Sequence, residues 1–173
     1  MITQKQALDL LYKHGLSQKR VTHSMGVASF AFDLASKIKQ NHPDLPVNPE
    51  KVRLAALLHD IGRSQPGDHE LNTIAILKSE GLKDLAEITI HGSIYEIMLL
   101  RGTDDPSLKP RLLENKIVAY SDARFRDHVV TMQERWAEIE QRRSGEKEKI
   151  ESLHMAKSRF IEMEKELLEL SGQ

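Results

Sequence analysis

Apolar residues in the first part of the chain recur at intervals of three and four positions, in blocks separated by loops that contain proline or glycine. In the first block they occupy positions 7, 8, 10 and 11, and in the second positions 21, 25, 28, 32, 35 and 38. This spacing places an apolar stripe on one side of an α-helix. It predicts a first helix that follows Thr3 and is stopped by Gly15, and a second helix that follows Ser17 and runs to about Gln40, with Thr3 and Ser17 as their N-caps.

Capping residues and prolines predict where the following helices begin. Asn48 before Pro49 starts a third helix, which runs to the sequence His59-Asp60-Ile61-Gly62. Asp68 is predicted to cap a fourth helix. Helical patterns cover about 69–80, 82–90, 93–101 and 110–126. Because no block alternates apolar and polar residues as a strand does, we predict an all-α bundle of about six or seven helices with a C-terminal helical extension.

The last part of the chain is rich in charged residues but keeps an apolar stripe with helical spacing. That stripe consists of Ile150, Leu153, Phe160, Met163, Leu167 and Leu170. The pair Ser144-Gly145 predicts a break between two helices. We therefore predict a domain over 1–127 and a charged amphipathic extension over 128–173, which packs back on the domain. Packing on a partner subunit, as in a homodimer, is the alternative.

Net charge and cysteine content argue against several classes of partner and metal site. The 173 residues carry a net charge of −1, so bulk charge does not attract nucleic acid or an anionic membrane. The chain has no cysteine, which excludes disulfides and thiolate metal sites. We find no signal-peptide pattern and no apolar run of membrane-spanning length, and expect a cytoplasmic protein without membrane or nucleic-acid partners.

Histidine and aspartate side chains lie within or directly after the apolar segments, at His23, His59, Asp60, His69, His91 and Asp122. Singly, each has a structural explanation, such as a hydrogen-bonded core histidine, a helix cap, or a pairing of Asp122 with Arg124 or Arg126. An unpaired aspartate in an apolar setting is costly, so Asp60 needs a polar partner, a counter-charge or a metal ion. The shared layout favours one site for a divalent transition metal, since imidazole and carboxylate suit Fe, Mn, Zn, Ni or Co.

His59 and Asp60 are neighbours in sequence, and neighbouring side chains on a helix point about 100° apart. Gly62 follows two residues later, at the end of the predicted helix. We predict that this glycine lets the backbone leave helical geometry, so that both side chains turn towards one ion.

The ordered set His23, His59-Asp60 in LLHDIGR and Asp122 in AYSDAR resembles the H…HD…D signature of the HD-domain metal-dependent phosphohydrolase superfamily, in its HDIG form. The resemblance covers roughly residues 18–126. It implies an HD-domain-like helical bundle and hydrolysis of phosphomonoesters, phosphodiesters or phosphoanhydrides, often of nucleotides. The chain lacks the GYP triplet and the adjacent histidine pair of the HD-GYP branch.

The resemblance also implies a ligand set. His23, His59, Asp60 and Asp122 would bind one metal ion. His69 and His91 occupy places consistent with a second ion bridged by Asp60, a pattern similar to the HD-type hydrolases that cleave diadenosine tetraphosphate with a di-iron centre. One or two ions are therefore expected.

From these residues we predict a metal-dependent phosphohydrolase that cleaves a small phosphorylated substrate, in the first place a nucleotide, with metal-activated water. Asp60 and Arg63 are the predicted catalytic residues, with Arg63 binding a phosphate oxygen and Arg124 as the next candidate. A structural salt bridge is the alternative for each arginine. Two further hypotheses stay open: a catalytically silent nucleotide-binding or regulatory module, and an interaction protein that works through its C-terminal helices. Arg142-Arg143 is interpreted as solvated charge.

Overall fold

The computed structural model describes residues 2–173 and is built from helices joined by loops. The α-helices within that range are α1 (Gln4–Lys13), α2 (Gln18–Asn41), α3 (Pro49–Leu58), α4 (His69–Ser79), α5 (Lys83–Ala86), α6 (Ile94–Leu100), α7 (Leu113–Arg124), α8 (Met132–Arg142) and α9 (Lys147–Ser171). Short 3-10 segments cover Ile61–Ser64 and Pro106–Leu108. Across residues 2–173 there is no strand, only an isolated β-bridge between Phe125 and Val129. The all-α prediction is confirmed.

Helices begin directly after all four predicted N-cap residues, and two of the four side chains make a capping hydrogen bond. Thr3 forms a capping box with Gln6, and the side chain of Asn48 accepts a hydrogen bond from the Lys51 N–H. Ser17 makes no side-chain cap hydrogen bond, and neither does Asp68. The Asp68 carboxylate instead accepts a hydrogen bond from Arg101 at 2.7 Å, so Asp68 occupies the predicted N-cap position without capping through its side chain.

The helix predicted over 82–90 ends at Ala86 because side chains from other segments form hydrogen bonds with the backbone that follows. The amide of Asn115 donates to the carbonyl of Glu87 at 2.6 Å. The backbone N–H groups of His91 and Gly92 donate to the carboxylate of Glu70 at 3.0 and 2.8 Å. These contacts replace helical hydrogen bonds, so His91 lies in a loop before α6 rather than near the end of a helix.

The core is centred on α3, which packs between α2 and α7. From Leu54 to Leu58 every side chain of α3 is buried, as expected for a helix that is apolar on all sides. Ala28, Ala31 and Ala35 of α2 are also buried in this core. The central helix therefore delivers the His59-Asp60 pair at its C-terminal end to the interior of the bundle.

The predicted break at Ser144-Gly145 is present, and α9 packs against α2, α6 and α7 of the same chain. Its apolar stripe, including Phe160, Met163 and Leu167, belongs to the core cluster that also contains α2 and α3. Trp136 of α8 packs edge-on against Phe160, with ring centroids 5.4 Å apart. The division at residue 127 stays a prediction.

In the part of the chain that the structure describes, no helix combines the length and hydrophobicity needed to cross a membrane.

Candidate metal centre

The fold brings the six ligand-type side chains together from five separate segments. His23 comes from α2, the His59-Asp60 pair from the end of α3, His69 from the start of α4, His91 from the loop before α6, and Asp122 from α7. Nε2 of His59 lies 3.2 Å from Oδ1 of Asp122 and 3.8 Å from Oδ1 of Asp60. Nε2 of His23 lies 3.0 Å from the same Asp122 oxygen. The predicted convergence is present.

These side chains form two overlapping groups that share His59. One comprises His23, His59 and Asp122 and the other His59, Asp60 and His91, and within each group the candidate ligand atoms all lie within 4.8 Å of one another. His69 completes the second group, because its Nε2 lies 3.3 Å from Nε2 of His91 and 3.6 Å from Oδ1 of Asp60. Oδ1 of Asp60 thus lies within 3.8 Å of the Nε2 atoms of His59, His69 and His91.

Two polar atoms at the centre of the cluster make no well-directed hydrogen bond among residues 2–173, although a charged group lies close to each. They are Nε2 of His59 and Oδ1 of Asp60, both fully buried. Leaving such atoms unsatisfied costs roughly 1–3 kcal/mol each. Nitrogen and oxygen donors converging without well-directed hydrogen bonds are what a borderline divalent cation requires, so this set fits such an ion.

Backbone carbonyls orient the two most deeply buried rings. Nδ1 of His59 donates to the carbonyl of Ala56 at 2.6 Å, and Nδ1 of His91 donates to the carbonyl of Thr89 at 2.8 Å. Because each carbonyl can only accept, the proton sits on Nδ1 and each Nε2 faces the cluster. Such hydrogen bonds fix ring orientation and tautomer in metal sites.

The role of Gly62 differs from the predicted one. Gly62 lies in the 3-10 segment and does not adopt a positive φ, so conformational freedom is not what the position uses. A Cβ there would lie 2.1 Å from the carbonyl oxygen of His69 and 2.4 Å from the backbone nitrogen of Thr73. The glycine therefore permits close contact between the His59-Asp60 turn and α4, which carries His69.

Thr73 and Glu70 support the cluster from α4, and sequence reasoning missed both. The Thr73 hydroxyl accepts from the N–H of Gly62 and donates to the carbonyl of His59, each at 3.0 Å. The buried Glu70 carboxylate holds the backbone of His91 and Gly92. A threonine and a glutamate within a helix are ordinary surface choices, so the sequence offered no signal that could have found them.

Charge within the cluster shifts the ionisation of its members. Burial alone lowers the pKa of His59, but the negative charges of Asp60 and Asp122 outweigh it and raise that pKa from 6.5 to about 9. Burial raises the pKa of Asp60 and of Asp122, yet the neighbouring histidines, joined by Arg63 at Asp60, hold both pKa values well below the usual range. Both carboxylates are therefore ionised at neutral pH.

His69 behaves oppositely to His59. Burial, then the positive charges of His91 and Arg63, lower the pKa of His69 from 6.5 to about 4. The ring is neutral at pH 7, which is the form that can bind a cation.

Two arginines contact Asp60. Nε of Arg63 lies 2.5 Å from Oδ1 of Asp60, and Nη1 of Arg20 donates to Oδ2 at 3.3 Å. Sequence reasoning missed Arg20, which lies 40 positions before its partner. The structural salt bridge that was the alternative for Arg63 is thus present, with Asp60 as its partner, while both guanidinium groups also line a cavity next to the cluster.

Arg124 does not take the predicted phosphate-binding position. It donates to Glu164 at 3.2 Å and also to the Tyr120 hydroxyl and the Val130 carbonyl. These contacts tie α7 to α9, so the structural alternative for Arg124 is the correct one. Asp122 pairs with His23 and His59 rather than with Arg124 or Arg126.

The cavity has a volume of about 390 Å³ and begins at the cluster, with His69, His91 and Asp122 in its wall. This volume lies in the range of sites that take small molecules. Its wall also includes residues of α8 and α9.

Residues 20–127 match the family profile of the HD domain. The chain is 35% identical over 125 residues to an uncharacterised protein of Methanocaldococcus jannaschii, an alignment that covers 68% of this chain and 72% of that protein. It is 34% identical over 125 residues to a tRNA (cytidine(56)-2'-O)-methyltransferase of Thermoplasma volcanium, covering 68% of this chain and 35% of that enzyme. No solved structure shows significant similarity to the chain.

Proposed function

Because the chain belongs to the HD-domain family, whose members are typically metal-dependent phosphohydrolases, we propose that it hydrolyses a phosphoester or phosphoanhydride bond of a small nucleotide. One observation carries the proposal: the buried Nε2 of His59 and Oδ1 of Asp60, neither of which makes a well-directed hydrogen bond, lie 3.8 Å apart where four further ligand-type side chains meet. The adjoining cavity gives a substrate access to this point.

In this proposal His23, His59, Asp60 and Asp122 hold one divalent transition metal ion. His69 and His91 would hold a second ion next to Asp60, whose Oδ1 lies 3.6 and 3.7 Å from their Nε2 atoms. A bound ion lowers the pKa of a water molecule from 15.7 towards about 7 and stabilises negative charge on phosphoryl oxygens. The candidate metals are Fe, Mn, Zn, Ni and Co, all of which accept imidazole and carboxylate ligands.

The protein's own residues bind and orient the phosphate. Arg63 and Arg20 line the cavity beside Asp60, so their N–H groups can donate to phosphate oxygens. Asp60 stays ionised and keeps both guanidinium groups at the mouth of the cluster. Ala56 and Thr89 prevent rotation of the His59 and His91 rings through the Nδ1 hydrogen bonds.

The test is metal analysis together with activity, using protein purified without added metal or chelator. We expect one or two equivalents of a transition metal and hydrolysis of p-nitrophenyl phosphate or bis-p-nitrophenyl phosphate. Asp60→Ala should lose both metal and activity. Asp33→Ala, at an exposed position of α2, is the matched control and should keep both.

The outcomes separate the hypotheses. A fully metallated and active Asp60→Ala protein would refute the proposal. Metal loading with nucleotide binding but no turnover of any phosphoester would instead identify the silent regulatory module. If His69→Ala halves the metal content from two equivalents to one, His69 belongs to a second ion.

A further inference from the structure

The wall of the cavity opposite the metal cluster comes from α8 and α9, which lie outside the region matched by the HD-domain family. Four positively charged residues line this wall: Arg135, Arg142, Arg143 and Lys149. The whole chain carries a net charge of −1, so this concentration of positive charge is local. The cavity therefore has the histidines and carboxylates, with Arg20 and Arg63, at one end and four further cations at the other.

One carboxylate on α8 is shared by three arginines. Oε1 of Glu138 contacts Arg126 at 3.2 Å and Arg142 at 2.9 Å, and its Oε2 contacts Arg135 at 2.9 Å. A single negative charge cannot neutralise three guanidinium groups. Burial and the repulsion of the neighbouring arginines lower the pKa of Arg142 despite the attraction of Glu138.

The turn between α8 and α9 repeats this imbalance. Glu146 accepts from Arg143 at 2.5 Å and also pairs with Lys149. Two cations again share one carboxylate. The surplus positive charge at this end of the cavity is thus built into both helices, and the interpretation of Arg142-Arg143 as solvated charge is incomplete.

Buried donors on α8 are also without partners. The indole N–H of Trp136 makes no hydrogen bond within residues 2–173, although the residue is only 8% exposed and lines the cavity. The Nε of Arg135 is likewise buried and unpaired. Unsatisfied buried donors favour a ligand that brings acceptor oxygens.

We propose that Arg135, Arg142, Arg143 and Lys149 form a second anion site, which binds a phosphate group other than the one being cleaved. This inference rests on the proposed hydrolase function and deepens it. The preferred substrate then carries at least two phosphate groups, one at the His/Asp cluster and one against α8. Guanidinium groups suit this role because each offers several N–H donors to phosphate oxygens.

The apolar part of the same wall fits the rest of such a substrate. Met132, Ile139 and Leu153 line the cavity beside Trp136. Because apolar and charged side chains lie side by side in this wall, the charged groups can orient a ligand while the apolar side chains bury its uncharged part. A nucleoside with two or more phosphates meets both requirements.

The test compares a substrate with one phosphate against a substrate with several, in the metal-loaded protein. The variant is the double substitution Arg142→Gln/Arg143→Gln. We expect kcat/KM for ADP or diadenosine tetraphosphate to fall at least about tenfold, mainly through KM, because two charge-assisted contacts are lost. For p-nitrophenyl phosphate the change should stay within about twofold, since that substrate does not reach the second site.

Lys157→Gln/Lys165→Gln is the matched control. It removes two positive charges from exposed positions of α9 and should affect both substrates by less than about twofold. Metal content and Tm of each variant are measured alongside. Arg142→Gln alone, at a half-exposed side chain, is a second variant that should fold and still raise KM for the longer substrate about threefold or more.

Binding of the non-hydrolysable α,β-methylene-ADP separates the failure of this site from the failure of the hydrolase. A Kd that rises about tenfold in the double variant, while that of AMP is unchanged, supports the second site even if no substrate is turned over. Equal effects on both substrates and both ligands would overturn it, even if the hydrolase is active.

Discussion

At the scale of single residues, the sequence identified the ligand-type side chains but not what supports them. His23, His59-Asp60 and Asp122 could be recognised because their order and apolar contexts are unusual for polar residues. Glu70 and Thr73 act through hydrogen bonds to backbone of other segments. Such contacts depend on where α4 packs in the folded chain. The local pattern of apolar and polar residues does not specify that position.

Gly62 shows the same limit. The sequence indicated that a glycine is needed at this position, but not that the need comes from close contact with α4. Gly62→Ala forces a Cβ against the backbone of His69 and Thr73, and backbone cannot move aside as a flexible side chain can. We expect a loss of roughly 2–3 kcal/mol in the free energy of unfolding, measured by urea denaturation of the metal-free protein.

The control for this substitution is Gly145→Ala, where a Cβ meets no atom within 4 Å. It should change stability by less than about 0.5 kcal/mol. Equal stability of the two variants would show that the close contact at Gly62 does not matter.

His59 links metal binding to pH. With a pKa of about 9 the ring is protonated at pH 7 in the metal-free protein, and an ion at Nε2 must displace that proton. Metal binding at pH 7 should therefore release about one proton from His59, and apparent affinity should rise up to about tenfold per pH unit until the pH reaches about 9. Calorimetry in two buffers of different ionisation enthalpy measures the proton release.

The same shift predicts an opposite trend for stability without metal. The His59 pKa is above its ordinary value of 6.5, so its contribution is complete below pH 6.5 and is lost as the pH rises through about 9. Metal affinity that stays constant between pH 7 and 9 would contradict the displacement of a proton from His59 by the ion.

At the scale of secondary structure, prediction succeeded where the helix is set by its own residues. The capping box at Thr3, the Asn48-Pro49 start and the break at Ser144-Gly145 are local features. Prediction failed over 82–90, where the side chains of Glu70 and Asn115, from outside the segment, form hydrogen bonds with backbone groups at or just after its end. The apolar periodicity of a segment cannot reveal that distant groups compete for its backbone hydrogen bonds.

Arg159 ties α9 to α6 and to the loop that carries His91. It donates to the Glu96 carboxylate at 2.9 Å and to the Gly92 carbonyl at 3.1 Å. The side chain of Glu96 is only 6% exposed, so Arg159→Leu leaves a buried charge without its partner. We expect a loss of about 3 kcal/mol in the free energy of unfolding, from urea denaturation.

Arg101→Leu provides the comparison. Arg101 also joins neighbouring elements, through Asp68 and Glu148, but its side chain is 42% exposed and its pairs are screened by water. Its effect should be clearly smaller. A larger loss for Arg101→Leu than for Arg159→Leu would contradict the assignment of Arg159 as the structural link.

At the scale of the whole molecule, the C-terminal helices share the core of the bundle. Phe160, Met163 and Leu167 are buried with α2 and α3 side chains in one cluster. Deleting residues 128–173 exposes that apolar surface. We expect the shortened chain to lose cooperative thermal unfolding, followed by circular dichroism, and to aggregate in size-exclusion chromatography.

A shortened chain that folds, binds metal and hydrolyses p-nitrophenyl phosphate would instead support an independent domain over 1–127, with an accessory tail. Size-exclusion chromatography of the full chain tests the alternative of a homodimer in the same experiment. The stripe on α9 is already covered by its own chain, which leaves less apolar surface for a partner.

The hydrogen bond between His23 and Asp122 joins residues 99 positions apart in the chain. An ion held by this pair and by the end of α3 would be a reversible cross-link between segments that lie far apart in the chain. Ligands that bind only the folded state stabilise it by mass action, by about 4 kcal/mol at a thousand times Kd. The lifetime of the folded chain in a cell would then follow the supply of that ion, so metal starvation would remove the protein itself as well as its chemistry.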